Sequence, residues 1–382
     1  MRISKWILAA IGVLSGYLCQ AAPLAASSPL DHLAAEVVSN DPNVPSVLAR
    51  AYSPRLGIDW QGEARGIYEK GAGPLIDRPF RIASVTKLFV AAATLRLYEQ
   101  GRLSLNAPIS RYLSEGTQRL LVSGGYDPTR ITVANLLAHT SGLADHATLP
   151  QYEQAVFANG QRRWARAEQI QLAMSYGKKT GEPGERMSYS DTGYLLLAEI
   201  IERRTGSPLA KSVRTLLRFQ RLGLKNTWFE SVEVQPSKAM PRLIQRLGDA
   251  DVTGFDPSFD LWGGGGIVST VHDLVVFMDA FVKGKLFDRP ETLAIALAGP
   301  SVPQSQAHPV HGLVFFEQEL AGHHCFSHAG FWNVDLVACP DLDLTIAVTL
   351  NQPATLRRDE RTKLVEAIVV AVDRVLADGR RD

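Results

Sequence analysis

Two strand-bearing stretches lie at opposite ends of this chain, with a long helical block between them, and that order restricts the fold more than any single motif. Near the N-terminal end, a short amphipathic segment over residues 30–38 precedes strand-like runs at 46–52 and 56–65. Near the other end, residues 312–316, 325–329, 334–339 and 344–350 read as consecutive antiparallel strands. Residues 355–377 then place Leu364, Ile368, Val369, Val372 and Val375 on one side of a closing helix. In the block between, the spacing predicts helices over 84–100, stopped by Gly101, and over 133–139 behind a Thr132 N-cap. Further helices are expected over 162–176 and 191–204. The second of these is apolar almost all round from 194 to 201, as a buried helix is. The glycine run 263–266 marks a loop before a helix that opens at 269–273 and ends near Phe281. An α+β fold accommodates this order: an antiparallel β-sheet flanked by helices, with a mostly helical subdomain inserted into it. The expected division is a leader over 1–26, one part of the sandwich over 27–104, the helical insert over 105–254 and the second part over 255–382. A cleft between two such parts is a common binding site.

Composition narrows the partners. Forty Lys and Arg stand against 39 Asp and Glu, with no block of like charge, so neither a nucleic acid nor an anionic membrane is an expected partner. Arg2 and Lys5 precede an apolar run over 6–18, and small residues follow, the order of a secretory signal. The run is shorter than the ~20 residues a membrane span needs. Export to the periplasm or beyond, with cleavage between residues 21 and 26, is the expectation, leaving no stable membrane span. Of the three cysteines, Cys19 lies in that leader, which leaves Cys325 and Cys339. They flank Trp332 symmetrically in what reads as a hairpin. A disulfide and two buried free thiols both fit.

The chemistry begins at Ser84 and Lys87, three residues apart where an alanine-rich helix starts. Positions i and i+3 share a helix face, so the amine can reach the hydroxyl and activate a poor nucleophile. The helix N-terminus adds unpaired N–H groups and partial positive charge where an oxyanion would form. Tyr189 and Asp191, in Tyr189-Ser190-Asp191, stand just before the buried helix, and His328-Ala329-Gly330 ends a strand. No Gly-x-Ser-x-Gly elbow and no phosphate-binding glycine motif occurs, so α/β-hydrolase and nucleotide chemistry have no support.

These three segments, in this order, resemble the serine β-lactamase and penicillin-binding-protein superfamily, in the branch of class C β-lactamases, D,D-carboxypeptidases, D-aminopeptidases and related esterases. Flanking stretches at 136–143, 183–184 and 264–273 are similar too, so the resemblance covers about residues 45–375. It implies Ser84 as the acylated nucleophile, and Lys87 as its proton acceptor or the polariser of that acceptor. It implies Tyr189 as a proton shuttle, and the backbone N–H groups of Ser84 and Phe331 as the oxyanion hole. Gly330 suits a place where backbone approaches substrate closely. No metal or organic cofactor is implied.

Two positions depart from the family pattern. Asp191 stands where the family has Asn, and a carboxylate there favours the ammonium form of Lys87; it is equally a candidate N-cap for its helix. His328-Ala329-Gly330 replaces Lys-Thr-Gly, which removes a hydroxyl and a permanent cation that hold a free carboxylate. An ester, an amide or a D-amino-acid peptide is therefore the expected small-molecule or peptide substrate. A true β-lactamase is one alternative, and a non-catalytic wall-fragment-binding protein on the same fold is another. His323 and His324 beside Cys325, with His308 and His311 nearby, match no closed zinc site. His139 and His272 are expected to be structural, whereas Trp262 and Trp332 fit either the cleft or the core. Oligomeric state is not legible.

Overall fold

The computed structural model describes residues 30, 32–71, 73–299 and 312–378. The expected leader over 1–26, and His308 and His311, lie outside them. Six strands build the central sheet: β1 (Ser46–Ser53), β2 (Ile58–Arg65), β3 (Phe316–Leu320), β4 (His323–Gly330), β5 (Val334–Cys339) and β6 (Leu344–Thr349). They are antiparallel throughout, in the order β2-β1-β6-β5-β4-β3. The N-terminal hairpin thus joins the C-terminal strands along β1 and β6, from Leu48 opposite Thr349 to Tyr52 opposite Thr345.

Helices cover both faces, and every residue of β5 and β6 is buried. On one face Val47, Ala49, Val337, Ile346 and Val348 pack on Leu364, Ile368 and Val372 of the C-terminal helix Ala354–Asp378, with Val37 of the helix Leu33–Asn40. On the other, Leu48, Leu336, Ala338 and Ala347 join the larger core, which includes Phe277 and Phe281 of the helix Val271–Val282. The alternation of the two sets along each strand is the two-residue period of a sheet buried on both sides. The fold is α+β, an antiparallel sheet flanked by helices.

Several expected boundaries move. Of the strand expected over 312–316, residues 312–315 form none: the Gly312 N–H donates to the Phe315 carbonyl at 2.8 Å, and Leu313 donates to the Ala298 carbonyl at 2.7 Å. This segment is apolar because it is buried against the end of the helix Pro290–Leu297, and the edge strand starts only at Phe316. Residue 56 belongs to a 3-10 turn, Pro54–Leu56, ended by Gly57 at φ +65°. The helix expected from 162 starts at Arg166, behind Ala165, whose N–H donates to Glu168 Oε2 at 2.7 Å. A short ribbon unites distant pieces of chain: Phe80–Arg81 and Trp228–Phe229 both pair with Ile267–Ser269. It sets the approach to Ser84 beside the exit from the glycine run.

Candidate active site

Arg81 anchors the first wall. It is buried, ion-paired with Glu230 at 2.6 Å, and held at backbone N and O by Gln245. Ala83 then takes φ +46°, a left-handed conformation that a non-glycine residue adopts at a cost. The resulting 3-10 turn, Ala83–Val85, leads into the helix Thr86–Glu99. Ser84 is partly exposed and Lys87 fully buried. Lys87 Nζ donates to Ser84 Oγ at 3.0 Å and to the Gly264 carbonyl at 2.7 Å, and forms an ion pair with Asp191. All three of its donors are engaged.

The second wall comes from the start of the buried helix Asp191–Thr205. Its N-cap is Ser190, whose Oγ accepts from Gly193, so Asp191 is the first helical residue and not the cap. The Asp191 backbone N–H goes to Asp145 Oδ1 at 3.1 Å, which leaves its side chain for Lys87. The Tyr189 phenol interacts electrostatically with both Lys87 and Ser84, and Lys87 Nζ lies 5.0 Å from the centre of its ring. Its ring stacks on His139 at 4.2 Å. His139 has φ +54°, and its Nδ1 accepts from the Ser190 N–H at 3.1 Å, which places the ring proton on Nε2. His139 thereby orients the tyrosine.

The glycine run closes the back. A Cβ on Gly264 would lie 3.0 Å from Asp191 Oδ1, and one on Gly265 would lie 2.3 Å from the Asp260 carboxylate. Sequence alone reads this run as a loop; the structure puts its Gly264 carbonyl on Lys87 Nζ.

β4 supplies the third wall. A Cβ on Gly330 would meet the Ile82 carbonyl at 2.4 Å, so only glycine lets the strand end press on the turn that carries Ser84. Phe331 follows, its side chain exposed and its carbonyl accepting from Ala354 N–H at 2.7 Å. His328 is buried, with its Nδ1 on the Ala329 carbonyl at 3.0 Å. Cys325, on the same strand, is disulfide-bonded to Cys339 on β5, with Cα atoms 4.3 Å apart. His323 and His324 meet Asp341 and Glu317. Among the described residues no group of three or more His, Cys, Asp or Glu is placed to hold a metal. His272 meets Arg50, while Trp262 donates to the Trp164 carbonyl at 3.2 Å and Trp332 is buried.

The electrostatics set charge states. Burial works to lower the Lys87 pKa, but the Asp191 carboxylate, with Tyr189, outweighs it and holds Lys87 above its ordinary range. Burial works to raise Asp191, yet Lys87 keeps it below the usual carboxylate value. Tyr189 is pushed up by burial. His328 is pushed down to about 3 by burial and by Lys87, and His146 to about 4 by burial. Asp145 and Asp260 rise to about 7 through burial and the nearby Asp191 charge. The centre therefore holds an ammonium–carboxylate pair, a neutral phenol and neutral imidazoles.

The family model described as Beta-lactamase matches residues 67–371, well over half of the chain. The chain belongs to the beta-lactamase family. Similar members include the D-alanyl-D-alanine-carboxypeptidase/endopeptidase AmpH of Escherichia coli, 27% identical over 56% of this chain and 52% of that protein. Esterase EstB of Burkholderia gladioli is 31% identical over 61% of this chain and 64% of its own length. The chain thus spans about half to two thirds of these curated relatives. Among solved structures, the D-amino acid amidase of Ochrobactrum anthropi SV3 superposes with a TM-score of 0.75 at 22% identity, covering 90% of this chain and 97% of that one. That likeness shows the shared fold. By name, the two curated relatives are a carboxypeptidase/endopeptidase and an esterase. Among the described residues, no helix is long and apolar enough to cross a membrane.

Proposed function

We propose that the chain is an exported serine hydrolase that acylates Ser84 with a small ester, an amide or a D-amino-acid peptide and then releases the acyl group to water. The observation that carries this reading is the triangle of Ser84 Oγ, Lys87 Nζ and the Tyr189 hydroxyl. Lys87 is an ammonium held by Asp191, so it polarises and does not itself accept the proton. Tyr189 takes the Ser84 proton as it passes its own to the leaving oxygen or nitrogen. Ser84 Oγ bonds to the acyl carbon, and the Lys87 charge steadies negative charge on the phenol as the protons move. The acyl oxygen is received by the N–H groups of Ser84 and Phe331. Water enters by the same relay in reverse.

A neutral His328 and an alanine at 329 favour acyl donors without a carboxylate beside the scissile bond. The carboxypeptidase, esterase and amidase relatives point to the same range. Export rests on the order of residues in the 1–26 leader. The test is Ser84→Ala. The folded variant is expected to lose both covalent labelling by a fluorophosphonate and hydrolysis of nitrophenyl esters and D-alanyl peptides. Full hydrolysis by folded Ser84→Ala overturns the reading.

A further inference from the structure

The hydrogen bonds around the hairpin turn after Gly330 carry an inference that rests on the acyl-transfer reading and goes beyond it. β4 and β5 are joined by Phe331, Trp332 and Asn333, closed by the Gly330–Val334 pair. Three-residue hairpin loops commonly set their last residue in the left-handed region, and Asn333 has φ +53°. Asparagine tolerates that conformation better than residues with bulkier side chains. Its amide is also engaged: Asn333 is fully buried, and Nδ2 donates to the Pro353 carbonyl at 3.2 Å. From the other side the Ala354 N–H donates to the Phe331 carbonyl at 2.7 Å.

Pro353 immediately precedes the C-terminal helix, and Ala354 is its first residue. Its first turn is closed by Leu356 N–H on the Pro353 carbonyl at 2.9 Å, and is set off from the rest by a non-helical Arg357 at φ −142°. One short helical turn therefore grips both ends of the hairpin turn. The peptide unit that carries the Phe331 carbonyl follows directly on the unit that presents the Phe331 N–H. Holding the first limits rotation of the second about their shared Cα. Neither bond is needed to hold the two elements together. The helix is fixed to the sheet by Leu364, Ile368 and Val372, and the far end of the hairpin by the Cys325–Cys339 disulfide.

We propose that this first turn is a clamp on the oxyanion hole, with Asn333 and Ala354 as positioning residues that aim the Phe331 N–H at the acyl oxygen. Two variants test it. Asn333→Gly keeps the left-handed backbone and removes the amide. Ala354→Pro removes the N–H at a helix start, where proline is tolerated, and leaves the hairpin untouched. For each, kcat and KM on a nitrophenyl ester are measured beside the melting temperature and the affinity for a boronic acid. That probe forms a tetrahedral adduct on serine, with an oxygen where the oxyanion would lie.

Removing an oxyanion donor outright costs about 10²–10³ in kcat. A misaimed donor is expected to cost about ten- to a hundredfold. KM should stay within about threefold, and boronate affinity should fall in parallel with kcat/KM. Full kcat in either folded variant, or a change confined to KM, overturns the proposal. So does failure of both variants to fold, which would assign the two residues to the fold. If the wild-type protein forms no adduct on Ser84 with ester or boronate, the acyl-transfer reading itself has failed, a result visible before any variant is made.

Discussion

Asp191 gives Lys87 its charge. A fully buried lysine would otherwise lose its proton easily, since burial penalises the ammonium. Asn at 191 removes the opposing carboxylate and lets burial win, so the Lys87 pKa should fall. The pH profile of kcat/KM for Asp191→Asn should then show an ionisation between about pH 6 and 10 that wild type lacks. A profile that superposes on wild type would show that Asp191 does not govern Lys87. His328 makes the converse case: it stays neutral at neutral pH and spends Nδ1–H on the Ala329 carbonyl. A hydrogen bond to a charged group contributes about 1.5–3 kcal/mol. Restoring a cation and a hydroxyl with His328→Lys and Ala329→Thr together should therefore raise turnover of carboxylate-bearing β-lactams relative to esters, by about tenfold to a hundredfold. Were wild type already faster on a cephalosporin than on every ester and peptide tested, this account of the third segment would be wrong. The Ser84–Lys87 pair is legible in sequence because helical spacing is local. The αL turn at Ala83 is not, because alanine has no preference for that conformation.

At the scale of elements, the site depends on backbones meeting where side chains would intrude. Gly330→Ala should push β4 off the Ile82 carbonyl, which its new Cβ would approach to 2.4 Å. Crowding of this kind typically costs about 1–3 kcal/mol, and Ser84 acylation should fall more than stability does. Urea unfolding beside labelling rate checks both; an unchanged labelling rate would mean that this strand end does not shape the site. The buried helix Asp191–Thr205 and the strands β1, β5 and β6 are legible from their apolar patterns and from the Thr205-Gly206 stop. Residues 312–316 mislead because burial without periodicity does not separate a strand from a packed turn. The ribbon of Phe80–Arg81, Trp228–Phe229 and Ile267–Ser269 is too short to carry a period, and its pairing is set by tertiary contact. The meeting of Ser84, Tyr189, Gly264 and Gly330 is likewise non-local, and in sequence only the family resemblance assigns them to one site.

Across the whole molecule the buried site also shapes how stability depends on pH, with two opposed contributions. His328 at about 3 and His146 at about 4 lie below the ordinary 6.5. Between those limits the unfolded chain binds protons that the native chain refuses. Stability from this source is present above about pH 6.5 and is lost as pH falls toward 4 and 3. Asp145 and Asp260 behave oppositely. Raised from 3.8 to about 7, they keep protons in the native state that the unfolded chain releases. Their contribution is full below about 3.8 and is lost as pH rises through 7. Between pH 4.5 and 6.5 the two slopes partly cancel. Asp260→Asn removes one of the compensating acids, so its melting temperature should drop more steeply than that of wild type between pH 6.5 and 4.5. His328→Gln removes one of the acid-sensitive bases, so its drop should be shallower. Calorimetry at the two pH values decides the matter: if both variants keep the wild-type difference, these groups titrate as they would in water, and the site is wetter than its packing indicates.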